Sequence, residues 1–311
     1  MRKIYTIGET VYDLIFEDGN VKAGKAGGSM LNASVSLGRM GAEVHFISEL
    51  GSDHLGDVIE GFLRQNGVGT GYISRFDEGH TPLALAFLDE NKNARYTFYK
   101  DYPAERFRQD FPVVTGEDLV LFGSFFALSP AVRKPLTDFV RQAADAGALI
   151  LYDPNIRRPH QMDLPYLLQM FNENLAFADI TRASDEDFRV IAGLQSAEDA
   201  FAYLNEHTGS CLIYTSGGAR VRMISRENDL EMLVPPVEVC STVGAGDSFN
   251  AGLLWSLVDR QIYRSEIRKL SDAEWQSLIQ TAITFGSHVC GGFDNYISTG
   301  FAQEMLIQNN Q

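Results

Sequence analysis

The sequence predicts an α/β protein in three layers: a mostly parallel sheet with helices on both faces, plus a small separate β-sheet. Three observations predict it. Short apolar runs of strand length recur along the chain, stretches of helical length lie between them, and two segments break the alternation with hairpin signals. Strand–helix alternation leads to parallel sheets because each crossover must travel back along the sheet before the next strand begins.

The first run is Ile4 to Ile7, followed by Val44 to Ser48, Leu119 to Phe122, Ala148 to Tyr152 and Cys211 to Tyr214. Runs this short and this continuously apolar fit strands buried on both faces. The helical stretches include Leu31 to Met40, Val58 to Gln65, Ala131 to Ala146 and Ala197 to His207. Near the end, Trp275, Leu278, Ile279, Ala282, Ile283, Gly286 and Val289 follow the i, i+3, i+4 stripe of a core-facing helix. The exceptions are Val11 to Ala23, with Asp18-Gly19-Asn20 at its centre, and Leu83 to Tyr99, interrupted by Asp89-Glu90-Asn91-Lys92-Asn93. Both show the period of two of a strand with one wet face. Together they predict a small sheet over about 11–25 and 81–101 that acts as a lid on a single domain spanning residues 1–311. There is no internal repeat and no linker-like segment.

The 311 residues carry a net charge of −15, which argues against nucleic acid or an anionic membrane as partner. It leaves anionic ligands open, because backbone N–H groups bind phosphate without side-chain cations. Cys211, Cys240 and Cys290 are odd in number and have no metal-ligand spacing, so they read as reduced thiols of a cytoplasmic protein. The apolar run at the N-terminus is too short for a signal peptide or a membrane span.

Polar and glycine-rich groups follow the apolar runs: Gly8-Glu9 and Asp13, Gly123-Ser124, Asp153-Pro-Asn155-Ile-Arg157, and Thr215-Ser216-Gly217-Gly218. Ligands of open α/β sheets bind beyond the carboxyl ends of the strands, so these groups point to one shared site. The strongest local signal is Thr242-Val-Gly244-Ala245-Gly246-Asp247, which leads into a helix apolar on every side and therefore buried. A helix N-terminus offers unpaired N–H groups and partial positive charge to a phosphate. Asp247 itself reads either as an N-cap or as a catalytic carboxylate. The segment is neither a Walker A loop nor G-x-G-x-x-G.

Thr242 to Gly252 resembles the C-terminal signature of the PfkB carbohydrate kinases, commonly D-T-x-G-A-G-D-x-F. Ala26-Gly27-Gly28-Ser-Met-Leu-Asn32 resembles their N-terminal signature. Phe46 to Asp57 and the Asp153 and Thr215 segments also resemble the family, in the expected order. The resemblance implies a ribokinase-like α/β/α fold and ATP-dependent phosphorylation of a sugar. It implies Asp247 as general base and the N–H groups of Gly244, Ala245 and Gly246 as anion hole. Asp13, Gly27, Gly28 and Asn32 would meet sugar hydroxyls, and Phe98, in a segment resembling the fructokinase lid strand, would pack on the ring. Asn155 and Arg157 belong to the D-P-N-x-R of the fructokinase-like branch. Ser184, Asp187, Thr215, Ser216, Gly217, Gly218 and Thr242 would lie on the nucleotide side, with magnesium arriving on ATP and Asp187 reaching it through water.

The chain departs from the pattern in three segments. Ser241 replaces an Asp that in ribokinases helps hold a monovalent cation, leaving potassium dependence open. Gly27-Gly-Ser-Met-Leu-Asn32 replaces G-G-A-P-x-N, and Asp187 replaces Glu. Fructose is the favoured acceptor. 2-Keto-3-deoxygluconate, ribose, a nucleoside, or a sugar-binding relative without catalysis are the alternatives. The resemblance further implies a homodimer formed through the lid. A dinucleotide-dependent oxidoreductase is disfavoured, since no second glycine follows Gly8.

Overall fold

The computed structural model describes residues 2–88, 94–156 and 163–309. The chain runs through β1 (Lys3–Ile7), β2 (Val11–Glu17), β3 (Asn20–Gly27), α1 (Ser29–Arg39), β4 (Glu43–Gly51), α2 (His54–Gln65), β5 (Val68–Phe76), β6 (His80–Leu88) and β7 (Ala94–Asp101). It continues through β8 (Leu119–Gly123), α3 (Arg133–Asp145), β9 (Leu149–Asp153), α4 (Leu164–Phe177), β10 (Ile180–Ser184), α5 (Asp185–Ala192), α6 (Ala197–His207) and β11 (Cys211–Ser216). The last elements are β12 (Arg220–Ile224), β13 (Asp229–Leu233), α7 (Ala245–Asp259), α8 (Asp272–Cys290) and α9 (Thr299–Asn309).

Among the described residues the main sheet has the order β13-β12-β11-β10-β9-β8-β1-β4-β5. Every pairing from β11 across to β5 is parallel, and only β12 and β13 run antiparallel. One apolar core lies between this sheet and α1, α2, α7 and α8, and a second lies between its other face and α3 to α6. That is the three-layer α/β/α arrangement expected from the alternation. Each fully buried Leu or Ile of these cores stabilises the fold by about 1.5–3 kcal/mol.

Local chemistry explains where the helices start. Asp53 caps α2 by accepting from Gly56 N–H at 2.8 Å. Ser184 with Asp187, and Ser271 with Glu274, form capping boxes on α5 and α8. Gly252 lets α7 lie against α8, because a Cβ there would sit 3.0 Å from Ala282 Cα.

The second sheet has the order β3-β2-β6-β7. Asp18 and Gly19 take positive φ at the β2–β3 turn, as the Asp-Gly signal requires. β2 pairs with β6 in parallel, which joins the two hairpin-like segments. β3 runs further than the hairpin signal suggested and reaches Gly27, so the paired glycines join a strand directly to α1 rather than forming a free turn.

Candidate active site

The C-terminal ends of β9, β10 and β11 lie side by side, and the first turns of α1 and α7 meet beside them. Gly244 is the N-cap of α7 at φ 84°, and the backbone of Asn295 occupies the place a Cβ would take. Only glycine tolerates both constraints. Asp247, in the first turn of α7, is 5% exposed. Its Oδ1 accepts from Ser29 Oγ at 2.6 Å and its Oδ2 from Asn32 Nδ2 at 2.8 Å. Hydrogen bonds to a charged group contribute roughly 1.5–3 kcal/mol each, enough to fix the carboxylate's rotation. The carboxylate reaches across to α1, so it does more than cap its own helix.

Ser29 and Asn32 stand one turn apart on α1, which begins at Gly28 with φ 132°. At Gly27 a Cβ would collide with Asp13 Oδ2, and at Gly28 with the carbonyl of Glu9. The two glycines therefore let β2, the loop after β1 and the start of α1 converge. Asn155, at φ 41°, donates from Nδ2 to Ser29 Oγ at 3.1 Å. Asp13, Gly27, Gly28, Asn32, Asn155 and Asp247 are thus brought together. Phe98 shares a face of the small sheet with Asp13, through the register Lys25–Asp13–Ala84–Phe98, and is 55% exposed. Arg157 lies outside the described residues.

A buried polar network underlies the Gly244–Gly246 loop. Asp153, fully buried, accepts from Arg182 Nη1 at 3.3 Å and from Asn250 Nδ2. Arg182 Nη2 also donates to Thr215 Oγ1 at 3.0 Å. A Cβ on Gly246 would fall 2.8 Å from Arg182 Nη1, so this glycine admits the guanidinium beneath the loop. Burial pushes the Asp153 carboxyl up to about 6; Arg182 opposes the shift, while Asp187 and Asp247 add to it. Arg182 was not among the residues expected here, and Asp153 entered only as part of a motif. A charged residue inside the five-residue strand β10 was the available signal.

Of the residues expected on the nucleotide side, Thr215 is buried, Ser216 ends β11, and Gly217 (φ 52°) and Gly218 form the exposed turn into β12. Thr242 is exposed beside Gly244. Both oxygens of Asp187 are engaged: Oδ2 accepts from Ser184 N–H at 2.7 Å and Ser184 Oγ at 2.6 Å, and Oδ1 from Ile156 N–H. Asp187 therefore ties the segment after β9 to the start of α5. Among the described residues no group of three or more His, Cys, Asp or Glu is arranged to hold a metal ion.

Two further cations flank the small sheet. Lys25 Nζ donates to the Phe293 carbonyl at 3.0 Å and to Asn295 Oδ1 at 2.9 Å. Burial pulls this ammonium below its ordinary pKa, while Asp13 and Asp294 act the other way. Lys100 pairs with Glu9, whose other oxygen accepts from Tyr102 at 3.0 Å.

A fold with helices on both faces of a parallel sheet, holding a buried carboxylate at a glycine-lined helix start, defines a ribokinase-like carbohydrate kinase. Residues 1–291 match the model described as pfkB family carbohydrate kinase, and the chain belongs to that family. It is similar to the fructokinase of Escherichia coli, 28% identical over 259 residues, covering 82% of this chain and 84% of the relative. It is also similar to the aminoimidazole riboside kinase of Salmonella typhimurium, 27% identical over 260 residues, covering 83% and 81%. Among solved structures, the ATP-bound fructokinase of Xylella fastidiosa superposes with a TM-score of 0.85 at 21% identity, covering 99% of both chains. A Vibrio cholerae fructokinase with fructose, ADP and calcium gives 0.85 at 20% identity, covering 98% of this chain and 99% of that one.

Proposed function

We propose that this sugar kinase transfers the γ-phosphate of ATP to a hydroxyl of a small sugar, with fructose as acceptor and fructose 6-phosphate as product. The observation that carries this reading is the Asp247 carboxylate, held by Ser29 and Asn32 where the sugar-side segments meet the Gly244–Gly246 loop. Phosphoryl transfer depends chiefly on positioning and on stabilising charge on the transferred group. Asp247 orients the acceptor hydroxyl and takes its proton as the bond to phosphorus forms. The N–H groups of Gly244 and Gly246, with the partial positive charge of α7, face the phosphoryl oxygens, whereas Ala245 N–H, expected to join them, donates to the Thr242 carbonyl at 3.3 Å. Arg182 beneath the loop adds to that field. Asp13, Gly27, Gly28 and Asn32 hold the sugar.

Thr242, Thr215 and Ser216 to Gly218 border the nucleotide. Among the described residues no side-chain cluster would hold a metal by itself, so magnesium, if required, would be brought by the nucleotide and would supply charge neutralisation of the phosphates. Asp187 acts by fixing the Ser184 and Ile156 segments, with any influence on the metal passing through water.

The β3-β2-β6-β7 sheet serves as the lid over the sugar, and water excluded by its closure cannot compete as acceptor. Its exposed aromatics, Phe87 (42%) and Tyr99 (57%) among them, form the contact with a second copy of the chain. A cytoplasmic site of action is part of this reading, because Cys211, Cys240 and Cys290 are free thiols.

A riboside acceptor is the second reading. Tyr96 and Phe98 stack at 5.7 Å between ring centroids, and the register places them on the Asp13 face, where a heterocycle could pack. The two readings are separated by measuring ADP release over a panel of fructose, ribose, 2-keto-3-deoxygluconate, adenosine and aminoimidazole riboside, with Asp247→Asn as control. Fructose is expected to give the highest kcat/KM, and the variant to lose about 10²–10⁴ in kcat while still binding ATP. Riboside turnover above fructose would establish the second reading, and an unchanged D247N would remove Asp247 from the chemistry.

A further inference from the structure

Lys25 lies in the lid strand β3, yet its ammonium donates into the segment joining α8 and α9. Two of its three donors are accounted for by the Phe293 carbonyl at 3.0 Å and Asn295 Oδ1 at 2.9 Å. That segment supports the phosphate-facing loop from behind, because the Asn295 backbone fills the space beside Gly244. Converging carbonyl-type oxygens are the ligands that replace water around an alkali cation. Here an ammonium takes two of them.

The remaining groups nearby do not fit a resident monovalent cation. The Cys290 carbonyl accepts N–H groups of Cys240 at 2.8 Å and Ser241 at 3.3 Å. Ser241 Oγ accepts from Val243 N–H at 3.2 Å. Moreover, Ser241 is neutral, whereas the aspartate it replaces in ribokinases would bring the negative charge that helps hold such an ion. Two changes thus run in the same direction: an acidic ligand is missing, and a cationic side chain occupies the oxygens.

We propose that the Lys25 ammonium is a built-in monovalent cation, bracing the Phe293–Asn295 segment against the Gly244–Gly246 loop, so that the enzyme needs no potassium. Lys25 is a positioning residue: it acts through Asn295 on the loop that meets the phosphoryl group. Because it pairs in register with Asp13 across β3 and β2, it also ties the sugar side of the site to the phosphate side.

This inference rests on the kinase reading for its turnover arm alone. Its first arm needs no turnover: thermal unfolding in potassium chloride against tetramethylammonium chloride at equal ionic strength. Wild-type Tm is expected to be the same in both salts. Lys25→Ala is expected to unfold at lower temperature in tetramethylammonium and to recover in potassium or ammonium. In the second arm, with whichever acceptor the panel identifies, wild-type kcat is expected to be indifferent to potassium. K25A is expected to lose about tenfold or more and to regain activity with ammonium or potassium. A potassium-dependent wild-type Tm or kcat would overturn the proposal, as would a K25A defect that neither cation restores, or a K25A with wild-type kcat in tetramethylammonium. If K25A does not fold, Lys25→Met keeps the apolar stem, and the wild-type salt comparison still decides. Absence of turnover with every acceptor would sink the kinase reading and leave the unfolding arm intact.

Discussion

Asp153 shows how a residue far from solvent sets the electrostatics of the site. It is fully buried, and burial raises its carboxyl to about 6 although Arg182 lies 3.3 Å away. The folded protein therefore holds this proton more tightly than the unfolded chain, whose carboxyl keeps the ordinary value of about 3.9. Between those values the unfolded state releases the proton first, so this group's contribution to stability falls as pH rises and levels off above about pH 6. Asp153→Asn removes the titration. Urea unfolding of both proteins from pH 4.5 to 7.5 is expected to show the wild type losing ground to D153N up to about pH 6, then a constant difference. A difference independent of pH would show that Asp153 stays charged throughout. At this scale the sequence was legible where chemistry is local. The glycines at 244 and 246 and the carboxylate at 247 lie within four residues and announce a helix start. Ser29 and Arg182 were harder to assign because their partners are 218 and 29 residues away, and spacing along the chain carries no trace of those distances.

At the scale of elements, α7 was readable because a helix apolar on all sides has only a buried position open to it. The hairpins were readable from alternation and from Asp18-Gly19. The parallel pairing of β2 with β6 was not, since two half-wet strands show nothing about which partner each will choose. β12 and β13 escaped for a related reason: β13 alternates in exposure, arginines interrupt β12, and neither forms a continuous apolar run. In the small sheet, every residue of β2 is half-buried, and residues 95–100 of β7 are exposed. Backbone hydrogen bonds with so little cover open at low cost. A sugar that packs against this sheet should therefore slow amide exchange of residues 83–88 and 94–99, while α8, with Trp275 and Leu278 fully buried, should not respond. Equal exchange with and without sugar would deny the sheet its role as a lid.

For the molecule as a whole, the three layers followed from the strand–helix alternation, whereas its assembly is a matter of surface. Phe87, Tyr96, Phe98 and Tyr99 are all more than 40% exposed and belong to one small sheet with open edges at β3 and β7. Unpaired edges and exposed aromatics together favour association. Sedimentation velocity is expected to report a dimer that Tyr99→Lys dissociates without changing helical content; a monomeric wild type would refute a dimer formed through this sheet. The joint at Gly28 has a further effect. Strand β3 of the small sheet passes into α1 with no intervening loop, and the first residue of that helix, Ser29, donates to the Asp247 carboxylate. A displacement of the sheet is thereby passed to Asp247. Under the proposed mechanism a water molecule is too small to produce that displacement, so hydrolysis of ATP without an acceptor is expected to be slow compared with transfer to a sugar that spans the cleft.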